Sequence, residues 1–238
     1  MTAAPRAVLF DLDDTLISTG RRPEVLQRIA RTFTGELGAL APEVLAARLE
    51  ADFEAYWSDP ARHQAGRMAL AETRREIVSA TFASLANPVL TRDLAFAFAD
   101  RLTAWRDEAT TLFPGAIANL ETLRRRGVRL GLITNGASTT QRAKIERFAL
   151  AAHFDHIQIE GEHGFGKPEP RAYLHALEVL DCQPPDAWIV GDNLVWEVEA
   201  PQRLGLFCIW FDHLAGGLPT GSAVRPDRII AAHAELLV

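Results

Sequence analysis

Five short apolar runs recur along the chain, and each is brief and largely continuous. They are AVLF (7–10), VRLGLI (128–133), HIQI (156–159), AWIV (187–190) and LFCIWF (206–211). Runs of this kind are typical of parallel strands that are covered on both faces. Segments with helical periodicity separate the runs, as in the stripe formed by Ile117, Leu120 and Leu123. This alternation predicts a doubly wound, Rossmann-like α/β fold with a parallel sheet.

The stretch from residue 17 to residue 112 departs from this alternation and shows only helical periodicity. Its apolar faces are Leu45, Leu49, Phe53 and Tyr56, and then Leu94, Phe98, Leu102 and Trp105. Such stripes are typical of helices that pack around a shared core. We therefore predict that residues 1–16 and 113–238 form the Rossmann-like core, and that residues 17–112 form a second, smaller, all-helical domain. Near the end, residues 228–230 are predicted to be a last strand, followed by a helix.

Polar residues gather where three of the predicted strands end. They are Asp11-Leu12-Asp13-Asp14-Thr15, Thr134-Asn135-Gly136 and Gly191-Asp192-Asn193. Open α/β sheets bind their ligands beyond the carboxyl ends of the strands. These three clusters are therefore the predicted functional site.

The acidic residues of these clusters predict a metal ion. Asp11 and Asp13 are two residues apart, so in an extended chain their carboxylates point to the same side. Two unit charges about 4 Å apart repel each other by roughly 4 kcal/mol at an effective dielectric constant near 20. Asp192 and Glu197, from a neighbouring strand end, would increase that repulsion unless a cation relieved it. Mg²⁺ suits a site with few carboxylates, several waters and a phosphate, and we predict it as the cofactor.

Four motifs occur in a characteristic order along the chain. They are DLDDT (11–15), ITNG (133–136), GKPEP (166–170) and VGDN (190–193). As a set they resemble the motifs of the haloacid dehalogenase (HAD) superfamily. The helical insert after the first motif resembles the mobile cap of that superfamily's capped members. The resemblance implies that residues 17–112 are a helical cap domain and that the remainder is the catalytic core.

The resemblance also implies a role for each matching residue of the core. Asp11 would attack phosphorus and become an aspartyl-phosphate. Asp13 would protonate the leaving group and afterwards accept a proton from water. Thr134 and the backbone of Asn135 would bind the phosphoryl oxygens, and Lys167 would neutralise Asp11 and the phosphate.

The implied metal ligands are Asp11, Asp13 through its backbone carbonyl, and Asp192. A fourth residue departs from the superfamily pattern, because Glu197 stands where a second Asp is usual. A glutamate can still hold a metal-bound water through its longer side chain, so Glu197 is included in the predicted metal site. Its neighbour Glu199 is interpreted as a solvated residue.

The presence of Asp13 favours hydrolysis of a phosphate ester over cleavage of a carbon–halogen bond. Dehalogenases resembling this chain lack an acid at that position, because a departing halide needs no proton. We therefore predict an HAD-type phosphoric monoester hydrolase that is Mg²⁺-dependent and acts on a small phosphorylated metabolite. Two alternatives stay open: a phosphomutase of the same superfamily, and a non-catalytic binding or regulatory module on the same scaffold.

Two other features are interpreted as structural. The segment GEHGFGKP (161–168) nearly matches the P-loop motif, but Pro168 lacks the hydroxyl and the N–H that a P-loop supplies at this position. His163 is interpreted as an exposed loop residue. The remaining histidines are predicted to lack partners at metal-ligand spacing: His153, His156, His175, His213 and His233.

Composition limits the partners and the location of the protein. The 238 residues carry a net charge of −6, which gives no general attraction to nucleic acid or to an anionic membrane. Cys182 and Cys208 form neither a metal-binding spacing nor a disulfide framework. No apolar run is long enough for a signal peptide or a membrane span. We expect a cytoplasmic protein whose partner is a small phosphate ester, with its oligomeric state open.

Overall fold

A six-stranded parallel sheet organises the structure, a computed structural model that describes residues 4–237. The strands are β1 (Ala7–Phe10), β2 (Ile17–Ser18), β3 (Thr111–Leu112), β4 (Arg129–Thr134), β5 (His156–Ile159), β6 (Ala187–Gly191), β7 (Phe207–Phe211) and β8 (Arg228–Ile230). The large sheet has the order β5-β4-β1-β6-β7-β8. Because β1 lies between β4 and β6, the chain winds outward from it in both directions. The prediction of a doubly wound parallel sheet is confirmed.

Helices cover this sheet and also make up the insert. They are α1 (Arg22–Thr32), α2 (Pro42–Ser58), α3 (Pro60–Met68), α4 (Leu70–Ser84), α5 (Arg92–Ala109), α6 (Ala116–Arg125), α7 (Ser138–Arg147), α8 (Glu160–His163), α9 (Pro170–Val179) and α10 (Ala200–Gln202). A π-helical turn, Leu194–Glu199, immediately precedes α10. Among the helices of residues 4–237, none is both long enough and apolar enough to cross a bilayer.

The central strand β1 is buried on both faces, as its continuous apolar sequence predicts. Val8 and Phe10 belong to one hydrophobic cluster, which includes the apolar residues of α6. Ala7 and Leu9 belong to a second cluster, which includes those of α9. Successive side chains of a strand point to opposite faces, so four apolar residues in a row supply both cores. The strand end that follows is thereby held rigidly in the middle of the sheet.

The chain forms two compact units, one containing the sheet and one consisting of residues 19–110. The predicted junctions lay at residues 16/17 and 112/113, whereas the units divide after Ser18 and after Thr110. The difference comes from β2 and β3, which pair with each other in an antiparallel ladder. The prediction of no strand between residues 17 and 112 was therefore wrong at both ends of that segment. Two-residue strands are too short to produce a recognisable sequence pattern.

The helical unit, residues 19–110, has a hydrophobic core of its own. Leu49 and Phe53 of α2, Phe82 of α4 and Phe98 of α5 are buried in it. Both predicted apolar faces thus supply residues to this core. Asp59 is the N-cap of helix α3, and its side chain accepts hydrogen bonds from two backbone N–H groups of the first turn. This N-cap satisfies donors that a helix cannot satisfy by itself.

The predicted C-terminal helix is wrong. Strand β8 has the predicted bounds, but the residues after it form only a short 3₁₀ turn, His233–Glu235. The buried His233 side chain donates from Nε2 to the backbone oxygen of Thr15, at 2.8 Å. The Asn119 side chain donates to the backbone oxygen of His233, at 2.6 Å. These tertiary contacts override the local helix preference of the segment.

Candidate active site

Asp11 lies directly after β1, at the carboxyl edge of the sheet. Its backbone N–H donates to the backbone oxygen of Val190 at 3.0 Å, which extends the pairing of β1 with β6 by one residue. Its side chain is almost buried, with Oδ1 2.6 Å from Lys167 Nζ and Oδ2 3.3 Å from Thr15 Oγ1. Burial raises the pKa of Asp11, and the attraction of Lys167 opposes that effect. The carboxylate is thus fixed in place at the edge where ligands are expected.

Lys167 is buried between two carboxylates, with 1% of its side chain exposed. Its Nζ lies 2.6 Å from Asp11 Oδ1 and 2.7 Å from Glu197 Oε1. Burial disfavours the ammonium, but the attraction of Asp11 and Glu197 is stronger and raises the pKa of Lys167. Lys167 therefore stays charged in the protein interior.

Asn135 fixes the backbone from which Lys167 projects. Its Nδ2 donates to the backbone oxygen of Lys167 at 2.7 Å, and its Oδ1 accepts from the backbone N–H of Lys167 at 2.9 Å. Gly166 allows this close approach, because a Cβ there would lie 2.6 Å from Asn135 Oδ1. The second and third sequence motifs are therefore connected directly to each other.

Glu197 is held by the protein through both of its carboxylate oxygens. Oε1 contacts Lys167, and Oε2 accepts from the backbone N–H of Asn193 at 2.8 Å. Burial raises the pKa of Glu197 to about 7, against the attraction of Lys167. The Asn193 side chain caps the π-helical turn that carries Glu197. Gly191 leaves room for it, since a Cβ at that position would lie 2.0 Å from Glu197 Cγ.

Asp13 is engaged by two residues of α7 that the motifs did not predict. Lys144 Nζ lies 2.7 and 2.9 Å from the two carboxylate oxygens of Asp13. Gln141 Nε2 donates to Asp13 Oδ2 at 2.9 Å and to Thr134 Oγ1 at 2.5 Å. Gln141 thus connects Asp13 with Thr134, the residue predicted to bind phosphoryl oxygens. The available sequence signal was that Gln141 and Lys144 are three residues apart on the helix that follows ITNG.

Asp192 completes the cluster of acids. Its backbone oxygen accepts from Trp210 Nε1 at 2.6 Å, which fixes the chain after β6. Burial raises the pKa of the Asp192 carboxyl well above its usual range, and the nearby negative charges of Glu197, Asp11 and Asp14 raise it further. These electrostatic interactions show that the acids of the first and fourth motifs lie close together. Asp14, for which no individual role was predicted, also contributes to this negative potential.

The donor set of this cluster fits a hard divalent cation. Asp11, Asp13 and Asp192 offer only oxygen atoms, which Mg²⁺ prefers; burial, and then the neighbouring negative charges, raise the pKa of Asp192, and a bound cation would favour its ionised form. Glu197 fits less well as a ligand, because Lys167 and the N–H of Asn193 already occupy its two oxygens. We therefore assign Glu197 the task of positioning Lys167. Its predicted place in the metal site stays a prediction.

The fold, with its acid–lysine cluster at the carboxyl edge of the sheet, is that of a Rossmann-like hydrolase. The model of the haloacid dehalogenase-like hydrolase family matches residues 5–205. The chain belongs to this family, and the resemblance inferred from the four motifs is confirmed.

Three similar proteins illustrate the relationship. The phosphoserine phosphatase of Thermus thermophilus is 31% identical over 251 residues, covering 93% of this chain and 94% of that protein. The human N-acylneuraminate-9-phosphatase is 29% identical over 236 residues, covering 97% and 92%. The HAD hydrolase YfnB of Bacillus subtilis, solved with bound magnesium, superposes with a TM-score of 0.73 at 21% identity, covering 98% and 97%. The two phosphatases match nearly full length, whereas the YfnB structure supports the fold alone.

Proposed function

We propose that the protein is a Mg²⁺-dependent phosphatase that hydrolyses a small phosphorylated metabolite through an aspartyl-phosphate on Asp11. The observation that carries this proposal is the 2.6 Å contact between Asp11 and the buried, charged Lys167. A nucleophilic carboxylate must be ionised and must approach an anionic phosphate, and a buried lysine favours both.

The family match and the similar phosphatases support the class of reaction. The prediction of an HAD-type phosphoric monoester hydrolase is confirmed by the family match and by the phosphoserine phosphatase that matches nearly full length. Other relatives are phosphatases of N-acylneuraminate 9-phosphate and glyceraldehyde 3-phosphate. These names support a small, polar phosphate monoester as the substrate. The cytoplasmic location stays a prediction from the sequence.

The first chemical step is the attack of Asp11 on phosphorus. A carboxylate oxygen of Asp11 forms the new bond, and the bond from phosphorus to the ester oxygen breaks. The leaving oxygen takes a proton from Asp13, so the alcohol departs neutral. Thr134 and the backbone of Asn135 hold the phosphoryl oxygens, while Lys167 balances their charge.

The second step is hydrolysis of the aspartyl-phosphate. Asp13, ionised after the first step, accepts a proton from a water molecule that attacks phosphorus, and the bond to Asp11 breaks. Lys144 and Gln141 hold the ionised carboxylate of Asp13 in place for this step. Before the first step, the proton-carrying Asp13 must loosen its contact with Lys144, because an ammonium favours the ionised form.

The metal ion would be held by the carboxylates of Asp11 and Asp192 and by the backbone carbonyl of Asp13. When bound, Mg²⁺ supplies positive charge that neutralises the phosphoryl oxygens and orients the phosphate. Asp11 then faces phosphorus with its charge balanced by the ion and by Lys167.

An assay of phosphate release tests this proposal. The purified protein is incubated with phosphoserine, glyceraldehyde 3-phosphate, N-acylneuraminate 9-phosphate and an aryl phosphate, with Mg²⁺ or with EDTA. We expect hydrolysis only with Mg²⁺, and a loss of at least about a thousandfold in kcat for Asp11→Asn. Asp181→Asn, at an exposed turn residue, is the matched control. Unchanged turnover in Asp11→Asn would exclude Asp11 as the nucleophile.

The same assay separates the alternatives. A phosphomutase would convert a phospho-sugar into its isomer without releasing phosphate, and product analysis distinguishes the two outcomes. A non-catalytic module would release no phosphate from any substrate, with or without Mg²⁺. The intact set of Asp11, Asp13 and Lys167 in contact distance of their partners favours the enzyme.

A further inference from the structure

Three histidines that are far from ligand spacing in the sequence converge in the structure. His156, His163 and His175 place ring nitrogens within 4.8 Å of one another. Their ring centroids lie 5.2 to 6.1 Å apart. His156 begins β5, His163 ends α8 and His175 lies in the middle of α9. The prediction that His156 and His175 lack partners at metal-ligand spacing is therefore wrong, and His163, interpreted as an exposed loop residue, is half-buried at the end of α8.

Hydrogen bonds fix the tautomers of two of these rings. His163 Nδ1 lies 3.2 Å from the backbone oxygen of Ile159, which can only accept, so Nδ1 carries the proton. His175 Nδ1 lies 2.8 Å from Gln158 Oε1. The buried Gln158 side chain cannot be reversed, because its Nε2 donates to the backbone oxygen of Ala172 at 2.7 Å. In both rings Nε2 is therefore left with a lone pair for a ligand.

The third ring presents an unsatisfied nitrogen. His156 Nε2 is buried and has no hydrogen-bond partner among residues 4–237. Buried polar atoms are rarely left in this state, and each case calls for a partner. A metal ion can supply one, because metal-bound histidines characteristically donate their other ring N–H to a carbonyl, as His163 and His175 do here.

We propose that His156, His163 and His175 bind a divalent transition-metal ion of the Zn²⁺ class, with water in the fourth position. Imidazole nitrogen suits Zn²⁺ and its neighbours in the first transition series, whereas Mg²⁺ and Ca²⁺ require oxygen ligands. This site shares no residue with the carboxylate cluster.

The geometry requires only a small adjustment. Bonds of 2.0–2.1 Å in tetrahedral coordination place nitrogens about 3.4 Å apart. The ring nitrogens now lie within 4.8 Å of one another, so metal binding would draw the three half-buried rings closer together. Phe165 packs edge-on against His163 and His175, at 5.7 and 5.6 Å, and forms an apolar wall beside the cluster.

A metal ion at this site would affect the segment of chain between His163 and His175. The chain between His163 and His175 contains Lys167, the buried lysine of the acidic cluster. A metal ion bound to the three histidines would tie β5, α8 and α9 together on both sides of that segment. We therefore assign the ion a structural role, which stabilises the segment that carries Lys167.

Metal titration without substrate tests the proposal independently of any enzymatic activity. Full-length protein is freed of metal with EDTA and titrated with Co²⁺, whose visible absorption reports tetrahedral nitrogen coordination, and with Zn²⁺ under thermal unfolding. We expect one tetrahedrally coordinated Co²⁺ ion per chain and a higher Tm with Zn²⁺. His175→Gln should weaken binding about tenfold or more. His163→Gln, at a half-exposed ring, serves as a second variant should the first fail to fold.

Two matched variants distinguish metal binding at the three histidines from metal binding elsewhere on the protein. His153→Gln removes a histidine outside the cluster, and Asp192→Asn removes a ligand of the proposed Mg²⁺ site. Both should retain the tetrahedral Co²⁺ absorption and the Zn²⁺-dependent rise in Tm of the unmodified protein. Loss of binding in Asp192→Asn with retention in the cluster variants would overturn the proposal. Absence of a tetrahedral Co²⁺ spectrum in the unmodified protein would overturn it as well.

Discussion

The substitution Glu197→Gln tests the idea that Glu197 serves to position Lys167. A glutamine keeps the size of the side chain but offers one acceptor and one donor in place of two acceptors. In the structure both neighbours are donors: Lys167 Nζ at 2.7 Å and the backbone N–H of Asn193 at 2.8 Å. Whichever way the amide is turned, one of these donors faces an NH₂ group.

The size of the effect follows from this mismatch more than from the lost charge. Burial raises the pKa of Glu197 to about 7, so burial and the repulsion of Asp11 outweigh the attraction of Lys167 for the ionised form. What remains is the loss of the short ion-pair contact with Lys167, about 1.5–3 kcal/mol of unfolding free energy. In a chain of this length that corresponds to a decrease in Tm of roughly 3–12 °C. A displaced Lys167 should also lower kcat by about ten- to a hundredfold.

Thermal unfolding and steady-state phosphatase assays measure the two effects. Glu199→Gln is the matched control, because Glu199 is a partly exposed neighbour that pairs with Arg203 and should change Tm by less than about 1 °C. If Glu197→Gln behaved like Glu199→Gln in both assays, Glu197 would not be the residue that holds Lys167.

Three further substitutions probe other parts of the site. Lys144→Met removes the partner of Asp13 and should lower kcat about tenfold with little change in KM, as steady-state kinetics would show. Gly191→Ala places a methyl group 2.0 Å from Glu197 Cγ and should lower the unfolding free energy by about 1–3 kcal/mol in denaturant titrations. Burial lowers the pKa of His233, so native stability should fall as pH drops below about 6.5, where the unfolded chain takes up a proton. His233→Gln, which keeps a donor for the backbone oxygen of Thr15, should flatten that dependence in Tm measured against pH.

Each of these substitutions has a control of the same type. Arg125→Met removes an exposed cation and should leave kcat unchanged. Gly216→Ala adds a methyl group that has nothing within 4 Å and should leave stability unchanged. His153→Gln should retain the pH dependence of the unmodified protein. Equal effects of a test variant and its control would contradict the corresponding explanation.

The sheet could be predicted from the sequence because its strands are buried on both faces. The apolar runs predicted the bounds of β1 and β5 and placed β4, β6 and β7 within one residue, and the separately predicted β8 also has its expected bounds. The elements that were missed lack such a signal. Strands β2 and β3 contain two residues each, and the 3₁₀ turn at His233 depends on contacts with residues far away in the sequence.

The site was predictable only where its residues belong to motifs. Asp11 and Asp192 were predicted from their positions after strands, and Lys167 from the resemblance of GKPEP to a superfamily motif; the structure brings Lys167 into contact with Asp11. Lys144 reaches Asp13 across 131 residues, and no local pattern connects the two. The histidine cluster was not predicted for the same reason, because its three residues belong to three different secondary-structure elements.

The balance of charge in the acidic cluster supports the proposal that a divalent cation binds beside the two lysines. Five carboxyl groups, those of Asp11, Asp13, Asp14, Asp192 and Glu197, lie at or beside the carboxyl edge of the sheet. Two lysines pair with members of this set, Lys167 with Asp11 and Glu197, and Lys144 with Asp13. If every acid is ionised, three negative charges remain, and a divalent cation leaves one. A single proton neutralises that last charge, and general acid catalysis requires one proton on Asp13. The excess of negative charge in this cluster before substrate binds therefore favours the proposed Mg²⁺ ion and a proton on Asp13.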